Sequence, residues 1–404
     1  MQKILHTPEG VRDIYGKECE EKLALQERMH KVIKSFGYRD IETPTFEFFD
    51  VFGSAVGTTP SRELYKFFDR EGNTLVLRPD FTPPTARAAS KYFLNDNMAL
   101  RMTYLGNAFI NNSSYQGRLK ETTQIGGELI GDDSADADAE VIALAVQMLL
   151  ASGLKEFQIT VGHCGYFDAL VQEAGLDDTC TEELKGLISN KNTFGVEKLL
   201  SEQNLPDSLK RAFVALPNLF GMARDSSAYD NTEHSDIFEP AAALTSNLAA
   251  LQALERLHAI WETLKLYGVE KYVSFDLGLR SRYMYYTGII FRGYTYGTGA
   301  AILKGGRYDG LLGHFGKDAP AVGFVAEIDQ LLSALSRQNI HPKTAENLCM
   351  IIYDSDKQAE AIARASALRR KDIPVELVRV TSGRSREECR AYAKAAGCEL
   401  TVEL

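Results

Sequence analysis

The sequence is poor in the features that mark several large classes of protein. Its 404 residues hold 6 cysteines, at positions 19, 164, 180, 349, 389 and 398, with no Cys-x-x-Cys pair among them. His163 and Cys164 are adjacent, but no partner cluster stands at ligand spacing, so neither a metal site nor a cofactor is expected. Scattered thiols fit a reducing compartment better than a disulfide framework. No apolar run reaches the ~18 residues of a membrane helix. The opening MQKILHTPEGVRDIYG lacks the apolar stretch of a signal peptide, which gives a cytoplasmic expectation and no membrane partner. Positive charge is also short: 45 Lys and Arg face 55 Asp and Glu, a formal charge of −10. That disfavours a generic nucleic-acid binder, which needs a basic footprint. No phosphate-loop pattern, low-complexity stretch or internal repeat is present.

What is there is an ordinary globular composition, 45% hydrophobic and 25% charged, long enough for two or three domains. Leu25, Met29, Val32, Ile33 and Phe36 form one apolar stripe and predict a helix over 18–36, ended by Gly37. LYKFFD (64–69) and TLVLR (74–78) flank a hairpin turn. Thr82 before Pro83 and Pro84 reads as a helix N-cap, opening a helix to about residue 95. Long strands are expected at 100–110 and 121–131, a helix through Val141 and Leu149, and a strand at 156–162. Residues 165–267 turn helical, with Leu244, Leu248, Leu251, Leu254 and Leu257 lining a long helix near the end. Strands return at 271–278, 284–291, 297–305 and 321–327, the last running into a helix at 328–335. Residues 338–346 read as a linker, and 347–404 as a small βαβαβ unit.

Four clusters have the residue types for chemistry. In LRPDFTPP (77–84), Asp80 and Thr82 sit where a strand turns into a helix and can meet a ligand; taken alone, a helix cap and a turn residue are the favoured explanation. In GRLKETTQIGGELIG (117–131), alternation puts Gln124 and Glu128 on one strand face across Gly126. Such a face suits a small polar ligand or bulk solvent. In RSRYMYYTGIIF (280–291), tyrosines at 285 and 286 serve either a core or a pocket. In KGGRYDGLLGHFG (304–316), Arg307 and Asp309 pair with each other or with a ligand.

Taken in order, TPEGVRDI (7–14), FGYRDIETPTFE (36–47), LRPDFT (77–82), TYLGNAF (103–109), GRLKETTQIGGELIG (117–131), YYTGIIF (285–291), GGRYDGLL (305–312) and PAVGF (320–324) resemble the histidyl-tRNA synthetase family. That family includes a non-catalytic branch, the regulatory subunits of ATP phosphoribosyltransferase, the first enzyme of histidine biosynthesis. The resemblance implies an α+β fold over residues 1–337: the class II aminoacyl-tRNA synthetase antiparallel sheet flanked by helices, with a helical insertion at about 165–267. It also makes 347–404 a shortened version of an anticodon-binding domain.

The chain departs from the synthetase pattern where ATP is held. The family arginine just after the YxGxxF stretch is Ile110 here, and the arginine early in the last core helix is Gln330. A glycine three residues before that second arginine is Glu327, and the arginine before the YYTG stretch is Ser281, flanked by Arg280 and Arg282. Each lost charge-assisted hydrogen bond costs roughly 1.5–3 kcal/mol, and each lost charge-stabilising donor roughly 10²–10³ in rate. Synthetase activity is therefore expected to be lost, and no catalytic residue is assigned. The resemblance leaves amino-acid recognition: Asp80, Thr82 and Gln124 toward the ammonium of histidine, and Glu128 and Tyr286 (with Tyr285 beside it) toward the imidazole. Arg118 lines the pocket on its ATP side, and Arg280 or Arg282 stands in for the missing carboxylate partner. The functional expectation is a regulatory subunit, paired as a homodimer within a hetero-oligomer, that activates a short-form catalytic subunit and mediates histidine feedback. The rivals are a diverged histidine–tRNA ligase and a stand-alone histidine-binding protein.

Overall fold

A computed structural model describes residues 5–53, 59–93, 98–112, 119–223, 237–281, 285–342, 348–398 and 400–404. Two compact units divide the chain, Met1–Pro342 and Lys343–Leu404.

In the first unit, helix α1 (Gly16–Ser35) leads into the short strands β1 (Arg39–Asp40) and β2 (Phe46–Phe48). The hairpin β3 (Lys66–Phe68) and β4 (Thr74–Leu77) joins β2 in a small antiparallel sheet of its own. Helix α2 (Thr82–Tyr92) follows, then the long strands β5 (Leu100–Phe109) and β6 (Glu121–Ile130), helix α3 (Ala135–Ala151) and strand β7 (Phe157–His163). The inserted stretch holds α4 (Cys164–Ala174), α5 (Asp178–Ser189), α6 (Thr193–Ser201), α7 (Asp207–Ala215), strand β8 (Phe220–Gly221), α8 (Phe238–Ala243) and α9 (Leu248–Tyr267). Strands β9 (Val273–Asp276), β10 (Ile289–Thr295), β11 (Leu303–Arg307) and β12 (Ala321–Glu327) return to the sheet, and α10 (Ile328–Arg337) closes the unit.

The main sheet runs β1-β5-β6-β12-β11-β10-β7-β9-β8. It is mixed rather than wholly antiparallel, because β1 pairs with β5, and β7 with β9, in parallel. Both parallel pairs are joined by long excursions, and a parallel pair cannot be closed by a tight hairpin.

One face of this sheet carries the core. Ile125 and Leu129 of β6 meet Leu25, Met29 and Ile33 of α1 and the buried face of α3, all fully enclosed. Each such side chain stabilises the fold by roughly 1.5–3 kcal/mol, and truncating Leu25 to alanine would cost about 2–5 kcal/mol. The opposite face of β6 is thereby left for polar residues.

Several local expectations change in the structure. Helix α2 is capped at Phe81, and Thr82 is its first helical residue. The leucine stripe before residue 257 is broken, since Asn247 accepts from the N–H groups of Ala249 and Ala250 and starts α9 there. Leu244 therefore lies outside that helix and Leu248 is exposed. The strand expected from residue 284, which lies outside the described residues, is present from Ile289; before it, Thr287 N–H bonds the Arg307 carbonyl (2.8 Å) and its hydroxyl accepts from Asp309 N–H (3.0 Å). The strand expected from 297 begins at Leu303.

In the second unit β13 (Cys349–Tyr353) lies between β14 (Val375–Arg379) and β15 (Leu400–Glu403), parallel to both. Helix α11 (Gln358–Arg369) covers Cys349 and Ile351 on one face. Helix α12 (Arg386–Ala395), started by a Ser385–Glu388 capping box, covers Met350 and Ile352 on the other. Every β13 residue is buried, as a parallel central strand requires. No described helix is long and apolar enough to cross a membrane, and no described cluster of His, Cys, Asp and Glu suits a metal.

Candidate functional site

Strand register builds a cavity on the polar face of the main sheet. Directly opposed residues share a face. Gln124 therefore stands beside Glu327. In the next row Tyr104, Gly126, Val325 and Lys304 follow one another across β5, β6, β12 and β11. In the third, Glu128 faces Gly323, which faces Gly306. The glycines make this floor thin. A Cβ at Gly323 would fall 1.6 Å from Glu128 Oε2, and one at Gly126 would fall 2.5 Å from the Tyr104 hydroxyl. Large polar side chains can lie across the sheet only because nothing rises beneath them. Tyr286 uses the same gap over Gly306.

The turn before α2 forms one wall. Arg78 Nε donates to Asn107 O (2.9 Å) and Nη1 to Thr43 O (2.7 Å), while its guanidinium sits 4.1 Å over the Phe81 ring. Phe81 stacks on Tyr104 with centroids 4.5 Å apart. This fixes the turn so that Asp80 Oδ1 accepts from Thr82 N–H (3.1 Å) and the Thr82 hydroxyl donates to Glu128 Oε1 (2.9 Å). Glu128 takes two more hydroxyls, Tyr104 on Oε1 (3.1 Å) and Tyr308 on Oε2 (2.5 Å).

Electrostatics sharpen the picture. Glu128 is buried, and that burial pushes its carboxyl up to about 7 against the pull of its three hydroxyl donors. Asp80 is also raised to about 7 by burial, with the charge of Glu327 adding to the effect. Two acceptors, Asp80 Oδ2 and Gln124 Oε1, are shielded from solvent and have no hydrogen-bond partner. Unsatisfied buried acceptors cost about 1–3 kcal/mol each, a debt that a donor-bearing ligand would cancel. Among the described residues lining the cavity, Lys304 is the one cation and Asp80, Glu128 and Glu327 are the carboxylates. The cavity is partly open to solvent. It therefore suits a small cation-bearing molecule with several N–H groups.

Of the residues picked out from sequence, Asp80, Thr82, Gln124, Glu128, Tyr285 and Tyr286 all line this one cavity. Arg118 and Arg282 lie outside the described residues. Arg280 does not stand in for the missing arginine: its guanidinium packs 4.3 Å over Phe167 of α4 and it is not among the cavity lining. Arg307 and Asp309 do pair (3.1 Å), but Arg307 is buried against Asp138 and carries structure rather than ligand. Ile110 donates its N–H to Lys120 O just beyond β5, and Gln330 is exposed on α10. Tyr104, Tyr308 and Lys304 are not singled out by the sequence, and Glu327 stands out there only as a departure from a family glycine. The signal for all four is cross-strand register, which one sequence does not display.

The profile of the histidyl-tRNA synthetase family matches residues 10–331. A curated protein of Acetivibrio thermocellus, an ATP phosphoribosyltransferase regulatory subunit, is 39% identical over 393 residues, covering 97% of this chain and 91% of that one. The protein of the same name from Ruminiclostridium cellulolyticum is 36% identical over the same shares. The chain belongs to the family of ATP phosphoribosyltransferase regulatory subunits. A solved structure from Bacillus halodurans, described as an ATP phosphoribosyltransferase regulatory subunit/histidyl-tRNA synthetase, superposes with a TM-score of 0.86 at 32% identity, over 99% of this chain and 98% of that one. Histidyl-tRNA synthetase from Nostoc sp. PCC 7120 superposes with a TM-score of 0.78 at 18% identity, which speaks for the fold alone. Members of this regulatory family keep the class II synthetase fold without being catalytic subunits.

Proposed function

We propose that the chain pairs with a short-form ATP phosphoribosyltransferase catalytic subunit, raises its activity, and delivers feedback inhibition by histidine bound in the cavity described above. In this reading a cytoplasmic homodimer sits within a hetero-oligomer. The ammonium of histidine meets Asp80 Oδ2 and Gln124 Oε1, with Thr82 holding the turn. The imidazole meets Glu128 and Tyr286, with Tyr285 and Arg118 at the margins. Histidine then favours one state of the assembly, and a coupling of about 1–3 kcal/mol is enough to inhibit. The observation that carries the reading is a pair of buried, unpartnered acceptors beside a buried glutamate held by three hydroxyls, in a family of regulatory subunits.

The test mixes the purified chain with a short-form catalytic subunit from the same organism and follows phosphoribosyl-ATP formation with and without histidine. Stimulation that histidine reverses, and that Asp80→Asn makes insensitive to histidine, is the expected result. No stimulation and no co-elution of the two proteins would sink the proposal.

A further inference from the structure

Gln124 and Glu327 face each other across β6 and β12, and Gln124 Nε2 donates to Glu327 Oε1 at 3.1 Å. A carboxylate only accepts, so this bond decides which end of the amide points where. The nitrogen is committed to Glu327, and the carbonyl oxygen is left buried in the cavity without a partner. Gln124 itself is 3% exposed. In the adjacent row Lys304 Nζ lies 3.8 Å from the same Glu327 oxygen, on a side chain that is 38% exposed. Glu327 precedes α10 at the N-cap position yet makes no capping bond. Its carboxylate is turned to the cavity instead.

We propose that Glu327 is a specificity-determining residue of this cavity: it orients Gln124 to receive a ligand's ammonium, holds Lys304 for a small carboxylate, and repels a phosphate in the same place. The inference rests on the reading that a free amino acid occupies the cavity. Its charge logic is simple. A carboxylate carries one negative charge, whereas a phosphate monoester carries about 1.5 to 2. Lys304 is the one described cation at the cavity and already shares Glu327. A singly charged group can take the remaining donors of the lysine. A more highly charged one meets Glu327 with too little positive charge between them.

The experiment titrates the full chain with histidine, histidine methyl ester and histidinol phosphate. All three carry the same ammonium and imidazole and differ at the third group. The wild type is expected to bind histidine at least about tenfold more tightly than either analogue. Glu327→Gln keeps an acceptor for Gln124 but removes the charge. It should hold histidine affinity within about threefold and cut the preference over the phosphate analogue by about tenfold or more. Glu327→Ala frees the amide and should weaken histidine by about tenfold. Lys304→Met should lower histidine to the level of the methyl ester. Asp80→Asn locates the binding, since loss of histidine there identifies this cavity. Absence of histidine binding to the wild type overturns the reading of the cavity, and the inference with it. Histidine binding that Asp80→Asn abolishes, with selectivity unchanged in both Glu327 variants, overturns the role of Glu327 alone.

Discussion

Thr82 joins the two buried carboxylates of the cavity: its N–H serves Asp80 at 3.1 Å and its hydroxyl serves Glu128 at 2.9 Å. Phe81, and not Thr82, occupies the cap position of α2. Replacing Thr82 by valine keeps shape and removes the donor. Glu128 then loses one of three partners while staying buried. The expected cost is about 1–3 kcal/mol of stability, read from chemical denaturation, together with a loss of histidine affinity. Thr82→Ser should keep both near the wild type. Equal behaviour of the two variants would show that the bond does not matter.

The raised carboxylates give binding a definite pH dependence. Asp80 and Glu128 both ionise near pH 7, because burial penalises their charged forms. A ligand ammonium favours the ionised forms. Binding therefore expels protons below pH 7, and affinity rises as pH rises through that value. For one group the ionised fraction grows about tenfold between pH 6 and pH 8, and affinity should follow. Calorimetry in two buffers of different ionisation enthalpy checks the proton release. Asp80→Asn should weaken binding and flatten the profile. A profile that falls with pH would contradict this account.

Charge elsewhere on the sheet supports the fold and not the ligand. Asp138 has no exposed side chain and accepts from Arg307 Nε at 2.9 Å and Arg256 Nε at 2.7 Å. Asp138→Asn would leave two arginines poorly paired in a buried setting. A loss of about 3–5 kcal/mol is expected in thermal or chemical unfolding. Histidine affinity, measured where the variant remains folded, should stay within about twofold of the wild type, since none of the three residues lines the cavity. A selective loss of binding without loss of stability would move Arg307 back into the site.

How much of this was legible beforehand depends on the range of the interaction. Period-two alternation alone put Gln124 and Glu128 on one face of β6, because side-chain direction in a strand is local. The same local logic gave the stripe of Leu25, Met29 and Ile33. What it could not give was the row partner. Glu327 lies 203 residues from Gln124 and Tyr308 lies 180 from Glu128, so only the folded sheet brings them together. Arg280 shows the opposite failure. Its place in the chain beside Ser281 suggested the cavity, but the aromatic face of Phe167 captured its guanidinium.

The loss of synthetase chemistry can be tested directly. Activation of an amino acid by ATP requires cations around the phosphates in the transition state. The positions where the family places them hold Ile110, whose backbone N–H is tied to Lys120 O, and Gln330, which is exposed. Glu327 adds negative charge to the cavity, held by Gln124 and near Lys304. The purified chain should show no histidine-dependent exchange between ATP and pyrophosphate. Ile110→Arg alone should not restore it, because one arginine leaves Gln330 and Glu327 in place and each missing donor costs roughly 10²–10³ in rate. Exchange at the level of a synthetase, in the wild type or in that single variant, would mean that other cations of the chain reach the phosphates, and the regulatory role would then accompany a catalytic one.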